Sequence, residues 1–303
     1  MGFFDLQVNG YAGVDFNSDE LDQERLEAVC KRLLEQGVDG ILATVITDSL
    51  PQMEHRLKRI AQLHSVSPLI RQVIKGIHIE GPFLNPSPGF RGAHPADAIQ
   101  PATEENASRL LEAAGGLTKL VTLAPEQDPT GRVIRMLSDQ KITVSAGHTD
   151  ATLDQLKRSI DSGLSMFTHL GNGCPGTLAR HDNIIQRALA LHDKLWLCFI
   201  ADGAHIPFFV LKNYLDLAGV EKSLVVTDAI LAADLGPGNY RFGIWDLSIG
   251  EDLVPRSPDN SHLVGSAITM PRSFKNLCQH VGLTTEQAQL LLEINPKKTV
   301  PLQ

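Results

Sequence analysis

The sequence has little cysteine, and what it has is scattered. Cys30, Cys174, Cys198 and Cys278 lie far apart and none belongs to a Cys-x-x-Cys pair. That spacing indicates neither a zinc knuckle nor a disulfide framework and points to a reducing compartment. No run approaches the ~20 uninterrupted apolar residues of a membrane span. The N-terminus also lacks the basic-then-apolar layout of a secretory signal. A cytoplasmic protein without a membrane partner is therefore expected. Positive charge is short as well: 27 Lys plus Arg stand against 35 Asp plus Glu, a net charge of −8. Lys297-Lys298 near the C-terminus is too brief to form the basic stripe that nucleic acid requires, so no nucleic-acid partner is expected.

What remains is an ordinary globular composition, 43% hydrophobic and 20% charged over 303 residues. Length alone leaves one or two domains open, because α/β barrels commonly run ~250 residues as one unit. Eight short apolar runs rich in β-branched residues recur: Phe3 to Asn9, Gly40 to Thr47, Val73 to Glu80, Lys119 to Pro125, Ile142 to His148, Ser165 to His169, Leu195 to Asp202 and Ser223 to Asp228. Helical periodicity follows each, with start signals at Ser18-Asp19-Glu20, Thr103-Glu104-Glu105 and Asp150. Strand then helix, eight times, predicts a (β/α)8 TIM barrel. No glycine-rich dinucleotide fingerprint follows the first run, which disfavours an open doubly wound sheet. Between the eighth strand and its helix, Ala232 to Val264 form an unusually long loop, expected to be functional or to carry strands of its own. Helical stretches from Ala267 to Val281 and from Thr284 to Ile294 close a chain read as a single domain.

Active sites of such barrels are built where strands end at the C-terminal rim, so polar residues there carry the most information. Strand three ends in His78-Ile79-Glu80-Gly81-Pro82, strand five in Ser145-Ala146-Gly147-His148, strand six in Thr168-His169, strand seven in Asp202-Gly203-Ala204-His205 and strand eight in Thr227-Asp228. Taken singly, Glu80 also reads as a helix cap or a partner for Lys75, His148 as a satisfied strand-end histidine and Asp228 as a helix N-cap. Five of eight strands delivering His or carboxylate at one relative position is more than packing requires. One Glu, two His and one Asp on a rim suit a zinc-type ion with an open position and a base beside it. His55, His64, His192, His262 and His280 lack this pattern and read as surface or structural residues.

At these residues the chain resembles the N-acetylglucosamine-6-phosphate deacetylase family of the amidohydrolase superfamily. The likeness runs from Asp5 to about Pro296, through Asp5-Leu6-Gln7-Val8-Asn9-Gly10, His78 to Phe83, Val121 to Glu126, Ser145 to His148, Thr168-His169-Leu170, Ala201 to His205, Val226 to Ala229 and Val264-Gly265-Ser266. The resemblance implies one divalent metal ion, zinc or else iron or cobalt, bound by Glu80, His148 and His169. Asp228 would be the catalytic carboxylate, and His94, in Gly92-Ala93-His94-Pro95, would polarise the acetamide carbonyl. Gln7 and Asn9 stand where many amidohydrolases carry a His-x-His pair for a second metal, and neutral amides are poor substitutes for imidazole. Substrate contacts would come from Ala93, His94, Asn172, Gly173, His205, Leu263, Val264 and Gly265. Arg180 would reach the phosphate, in family members from the partner subunit of a homodimer; a guanidinium suits that work by binding two phosphate oxygens at once.

Two departures from the family accompany this. After His169-Leu170 the family has an aromatic residue and then Asn-Ala-Met, whereas this chain reads Gly171-Asn172-Gly173-Cys174. The two glycines predict a more open and flexible loop with an altered sugar or phosphate preference. The family also flanks the barrel with a small β-sandwich, and the present sequence is expected to lack it. The surface so left would be polar, covered by the Ala232 to Val264 insertion, or buried in an oligomer. An amidohydrolase acting on another N-acetylated sugar or amide is the alternative enzyme, and an idle sugar-phosphate binding protein the alternative outside catalysis. The intact Glu80, His148, His169 and Asp228 set disfavours the latter.

Overall fold

The computed structural model describes residues 2–243, 245–259 and 262–302. Met1, Ile244, Asn260, Ser261 and Gln303 lie outside them, three of these within the expected insertion. Eight strands follow one another around the molecule in sequence order: Phe3–Val8, Val38–Ile46, Ile74–Glu80, Thr118–Leu123, Thr143–Ala146, Leu164–Phe167, Trp196–Ile200 and Ser223–Val226. All neighbouring pairs are parallel. Between the eighth strand and the first, closure comes from a parallel bridge of Val8 to Ala229 and a 2.7 Å bond from Asn9 N to Ala229 O. The fold is the expected (β/α)8 barrel. No described helix is long and apolar enough to cross a membrane.

Alternation along the strands sorts the side chains into an outer layer, buried against the helices, and an inner one. Inside, Phe4, Leu6, Leu42, Leu120, Met166, Cys198, Leu224 and Val226 form an apolar floor. Above it runs a belt of hydroxyls about one imidazole. His78 Nε2 meets Thr122 Oγ1 at 2.8 Å, Thr122 meets Thr168 at 2.7 Å, and Ser145 meets Thr168 at 2.6 Å. Burial pushes His78 down to about 4, so the belt carries no charge at neutral pH. Glu80 lies one inward position above His78, at the rim.

Helix starts differ in detail from the sequence expectation. The first helix, Gln23–Glu35, begins at Asp22, whose side chain accepts from Arg25 N, rather than at Ser18. Helix Leu153–Asp161 is capped by Thr152 in a reciprocal box with Gln155, not by Asp150. In both, the residue that caps is the one able to reach a free N–H of the first turn. The long loop after the eighth strand has the strands of its own that its length suggested, an antiparallel hairpin of Gly238–Phe242 and Trp245–Ile249.

Asp5 fastens the barrel seam. Its carboxylate accepts from Gln7 N and Thr227 N, each at 3.2 Å, and from Thr227 Oγ1. Burial pushes its pKa from 3.8 up to about 7, with the Thr227 and Gln7 hydrogen bonds pulling the other way. A carboxyl that holds its proton more tightly folded than unfolded favours folding while protonated. That contribution is complete below about pH 4 and is lost as pH rises towards 7. Asp5→Asn keeps an acceptor oxygen and cannot ionise, so its stability relative to wild type should improve steadily from pH 4 to pH 7. Urea midpoints across that window measure this, and a pH-independent difference would refute it.

Candidate active site

Three of the expected residues sit just past strand ends in an uncommon backbone conformation. His148, His169 and Asp228 have φ of 50°, 32° and 52°, in the left-handed region. Non-glycine residues adopt it at a cost of order 1–3 kcal/mol, and Asn, Asp and His tolerate it best. Glu80 needs no such device, being the last residue of its strand.

Glu80 is the hub. Its Oε1 lies 3.0 Å from His169 Nε2 and 3.3 Å from His148 Nε2, and its Oε2 accepts from Gln7 Nε2 at 3.1 Å. Burial opposes its charge, yet the hydrogen bonds from His148 and His169 outweigh that and hold the carboxyl well below the usual range. Burial likewise disfavours a charged His169, but Glu80 overrides it and raises the imidazole. Lys75, the other partner the sequence offered, is exposed. One ligand atom from each of Glu80, His148 and His169 falls within 4.8 Å of the others, and all three residues are buried. His148 Nδ1 donates to Phe90 O at 2.8 Å, which fixes the ring with its Nε2 edge facing the Glu80 and His169 group. A compact set of two imidazole nitrogens and a carboxylate oxygen, one imidazole fixed from behind, fits a zinc-type cation.

Asp228 and His94 flank this group. Asp228 Oδ1 accepts from Asn9 Nδ2 at 2.7 Å, and burial together with the charge of Glu80 pushes its carboxyl up to about 6. His94 Nε2 is 3.3 Å from His148 Nε2. Burial and His148 push His94 down to about 3, so it is a neutral imidazole. Among the described residues His94 Nδ1 and Asn9 Oδ1 are buried without a hydrogen-bond partner. Both residues face one cavity, of about 250 Å³, that Glu80, His148, His169 and Asp228 also line. Ala93, Asn172, Gly173, His205, Leu263, Val264 and Gly265 line it too, so every expected substrate residue but one is brought together. The exception is Arg180, exposed and outside the cavity.

Supporting residues explain motifs whose roles the sequence left open. Glu126 accepts from Asn85 Nδ2 at 2.8 Å, from Asp150 N at 2.9 Å and from Thr149 Oγ1, bracing the loop that carries His148. Asp202 bonds His205 Nδ1 at 2.6 Å and accepts from its N–H at 2.8 Å, fixing the ring that lines the cavity. Ser266 N donates to Asp228 O at 2.9 Å, and Ser266 Oγ donates to Thr227 O. The segment after the insertion thus grips the backbone on both sides of Asp228's amide.

Two positions gain detail in the structure. His262, read as surface or structural, lines the cavity together with Phe242 from the hairpin. The insertion has no helical or strand period around position 262 by which this could be seen. At Gly173 the structure adds a packing reason for glycine: a Cβ there would stand 2.8 Å from His148 Nδ1, at φ +60°. Its missing side chain lets the loop close onto the histidine ring.

No family model matches the chain. It is 35% identical to an N-acetylglucosamine-6-phosphate deacetylase of Bacillus subtilis (strain 168) over 98% of its own length and 76% of that protein's. An N-acetylgalactosamine-6-phosphate deacetylase of Escherichia coli O157:H7 is 28% identical over 98% of this chain and 76% of its own. Among solved structures, N-acetylglucosamine-6-phosphate deacetylase from Pasteurella multocida superposes with a TM-score of 0.86 at 29% identity, covering 99% of this chain and 76% of that one. Sequence and fold agree over nearly the whole chain, and it belongs to the N-acetylglucosamine-6-phosphate deacetylase family.

Proposed function

We propose that this chain hydrolyses N-acetylglucosamine 6-phosphate to glucosamine 6-phosphate and acetate in amino-sugar catabolism, working as one barrel domain in the cytoplasm. The observation that carries the reading is the buried Glu80, His148 and His169 group with Asp228 in the same cavity. The higher identity to the glucosamine enzyme of Bacillus subtilis than to the galactosamine enzyme of Escherichia coli supports the gluco sugar. Four free cysteines agree with a reducing compartment.

Glu80, His148 and His169 would hold one divalent cation, zinc in our reading. When bound, that ion supplies Lewis acidity towards the acetamide oxygen and acidifies a water molecule. Gln7 and Asn9 occupy themselves with the carboxylates of Glu80 and Asp228, which supports a single ion. Asp228 takes the proton of the attacking water and returns it to the departing nitrogen, because an unprotonated amide nitrogen is too basic to leave. His94, neutral, donates a hydrogen bond to the carbonyl oxygen as negative charge develops there. His205, Asn172, Gly173 and the 263–265 segment hold the sugar. Arg180 lies outside its own chain's cavity, in keeping with a homodimer in which it serves the partner's phosphate site.

Acetate release tests this directly, with N-acetylglucosamine 6-phosphate, its galacto epimer and the unphosphorylated sugar as substrates. Turnover should be best on the first. Arg180→Ala should raise KM for phosphorylated substrate about ten- to hundredfold, the loss of a charge-assisted contact, with little change in kcat. Equal turnover of phosphorylated and unphosphorylated sugar would sink the phosphate assignment.

A further inference from the structure

We propose that Trp245, in the hairpin of the insertion, is the positioning residue for His94, so that the insertion sets the geometry of the carbonyl-polarising group as well as covering the sugar. The inference rests on the deacetylase reading above, in which His94 acts on the substrate carbonyl. Trp245 Nε1 donates to Ala93 O at 3.3 Å, the carbonyl immediately before His94. Its ring stands edge-on to that of His262 at 4.9 Å between centroids. His262 and Phe242 line the cavity. Ile230, Phe242, Leu247, Ile249 and Val264 make a small apolar cluster of their own, against which Ala93 and Trp245 pack. One run of contacts thus leads from a cavity-lining residue, through Trp245, to the peptide that carries His94.

The His94 ring has few restraints of its own. Its Nε2 meets only another imidazole, and its Nδ1 is buried without a partner among the described residues. Gly92, two residues before it, adopts φ +56°, a conformation that contributes no side chain to fix the loop. The direction of the imidazole is then inherited from the peptide joining Ala93 to His94, whose N–H donates to Arg91 O at 3.1 Å and whose carbonyl is held by the indole N–H, its side-chain bond. Preorganised donors lose rate steeply when displaced, because their benefit is confined to the position the oxyanion takes.

Trp245→Phe keeps an aromatic ring in the cluster and deletes only the N–H. Trp196→Phe is the control, since Trp196 opens strand seven at the far end of the barrel, with Lys222 Nζ 4.9 Å from its ring. Trp245→Phe should lower kcat about tenfold with KM within about twofold and an unchanged melting temperature. In a His94→Gln background the same substitution should cost nothing further, because the group it positions is gone. An equal loss with Gln at position 94, an effect on KM alone, or no loss at all would overturn the proposal. Long-range ¹H–¹⁵N spectra of the imidazoles need no turnover: the His94 signals, assigned by their disappearance in His94→Gln, should shift in Trp245→Phe and stay put in Trp196→Phe. Unmoved His94 signals would overturn positioning even if the enzyme is a deacetylase. Absence of acetate release by wild-type protein alongside moved signals would instead overturn the deacetylase reading and leave the positioning role standing.

Discussion

Asp228→Asn should lower kcat for acetate release by about 10³-fold while leaving KM, metal content and the fold nearly unchanged. In the proposed mechanism the carboxylate has two proton tasks in one turnover, and an amide can perform neither. Asn is nonetheless well suited to the position: it keeps an oxygen for Asn9 Nδ2, now 2.7 Å from Asp228 Oδ1, and it tolerates φ of 52°. The comparison therefore isolates chemistry from structure. A base must be deprotonated to act, so wild-type activity should fall as pH drops through the Asp228 pKa. Burial and the charge of Glu80 place that carboxyl at about 6 in the ion-free chain, and a cation beside Glu80 would offset part of the rise. The acidic limb of kcat is accordingly expected at or below pH 6, and residual Asp228→Asn activity should lack it. Retention of a tenth of wild-type kcat would rule out the role.

Glu80→Gln should abolish stable metal binding and, with it, activity. The substitution removes the anion towards which both imidazole nitrogens point and leaves a neutral oxygen in its place. Metal content after dialysis should fall from about one per chain to near zero, and zinc titration should show affinity weakened by at least about 10²-fold, more than the loss from a merely supporting residue. The same geometry predicts how affinity depends on acid. In the ion-free chain Glu80 raises His169 and so favours its protonated form, and a cation must expel that proton to bind. Affinity should weaken as pH falls through the raised His169 pKa, and the Glu80→Gln chain should lose that part of the dependence. Full metal occupancy in Glu80→Gln would exclude Glu80 as a ligand.

Much of this site could be read from the sequence because a barrel puts functional residues at a fixed place in its repeat. Glu80, His148, His169 and Asp228 announce themselves by ending apolar runs, and the order of those runs dictates that the ends meet. The same logic fails where there is no repeat. Trp245 opens an alternating strand, Trp245-Asp246-Leu247-Ser248-Ile249, whose period marks a strand but not its packing beside Ala93 and Ile230, and His262 lies beyond the hairpin where there is no such period. Asp202 was visible only as the start of a four-residue strand-end motif, although a carboxylate three residues before a histidine is spacing enough for one turn to bring them together. At Gly173 composition speaks only of flexibility, whereas its neighbour in space, a histidine ring, is a second reason for glycine.

The left-handed backbone at His148, His169 and Asp228 narrows the amino-acid alphabet at those positions before chemistry is considered. Cysteine, glutamate or a β-branched residue could offer a ligand or base in principle, yet each would meet the steric penalty that histidine and aspartate bear more lightly. Attempts to retune the metal by exchanging ligands should therefore succeed more readily at Glu80, which ends a regular strand, than at either histidine. These three corners constrain stereochemistry and reactivity together, and a redesign that copies only the donor atoms will inherit a distorted rim.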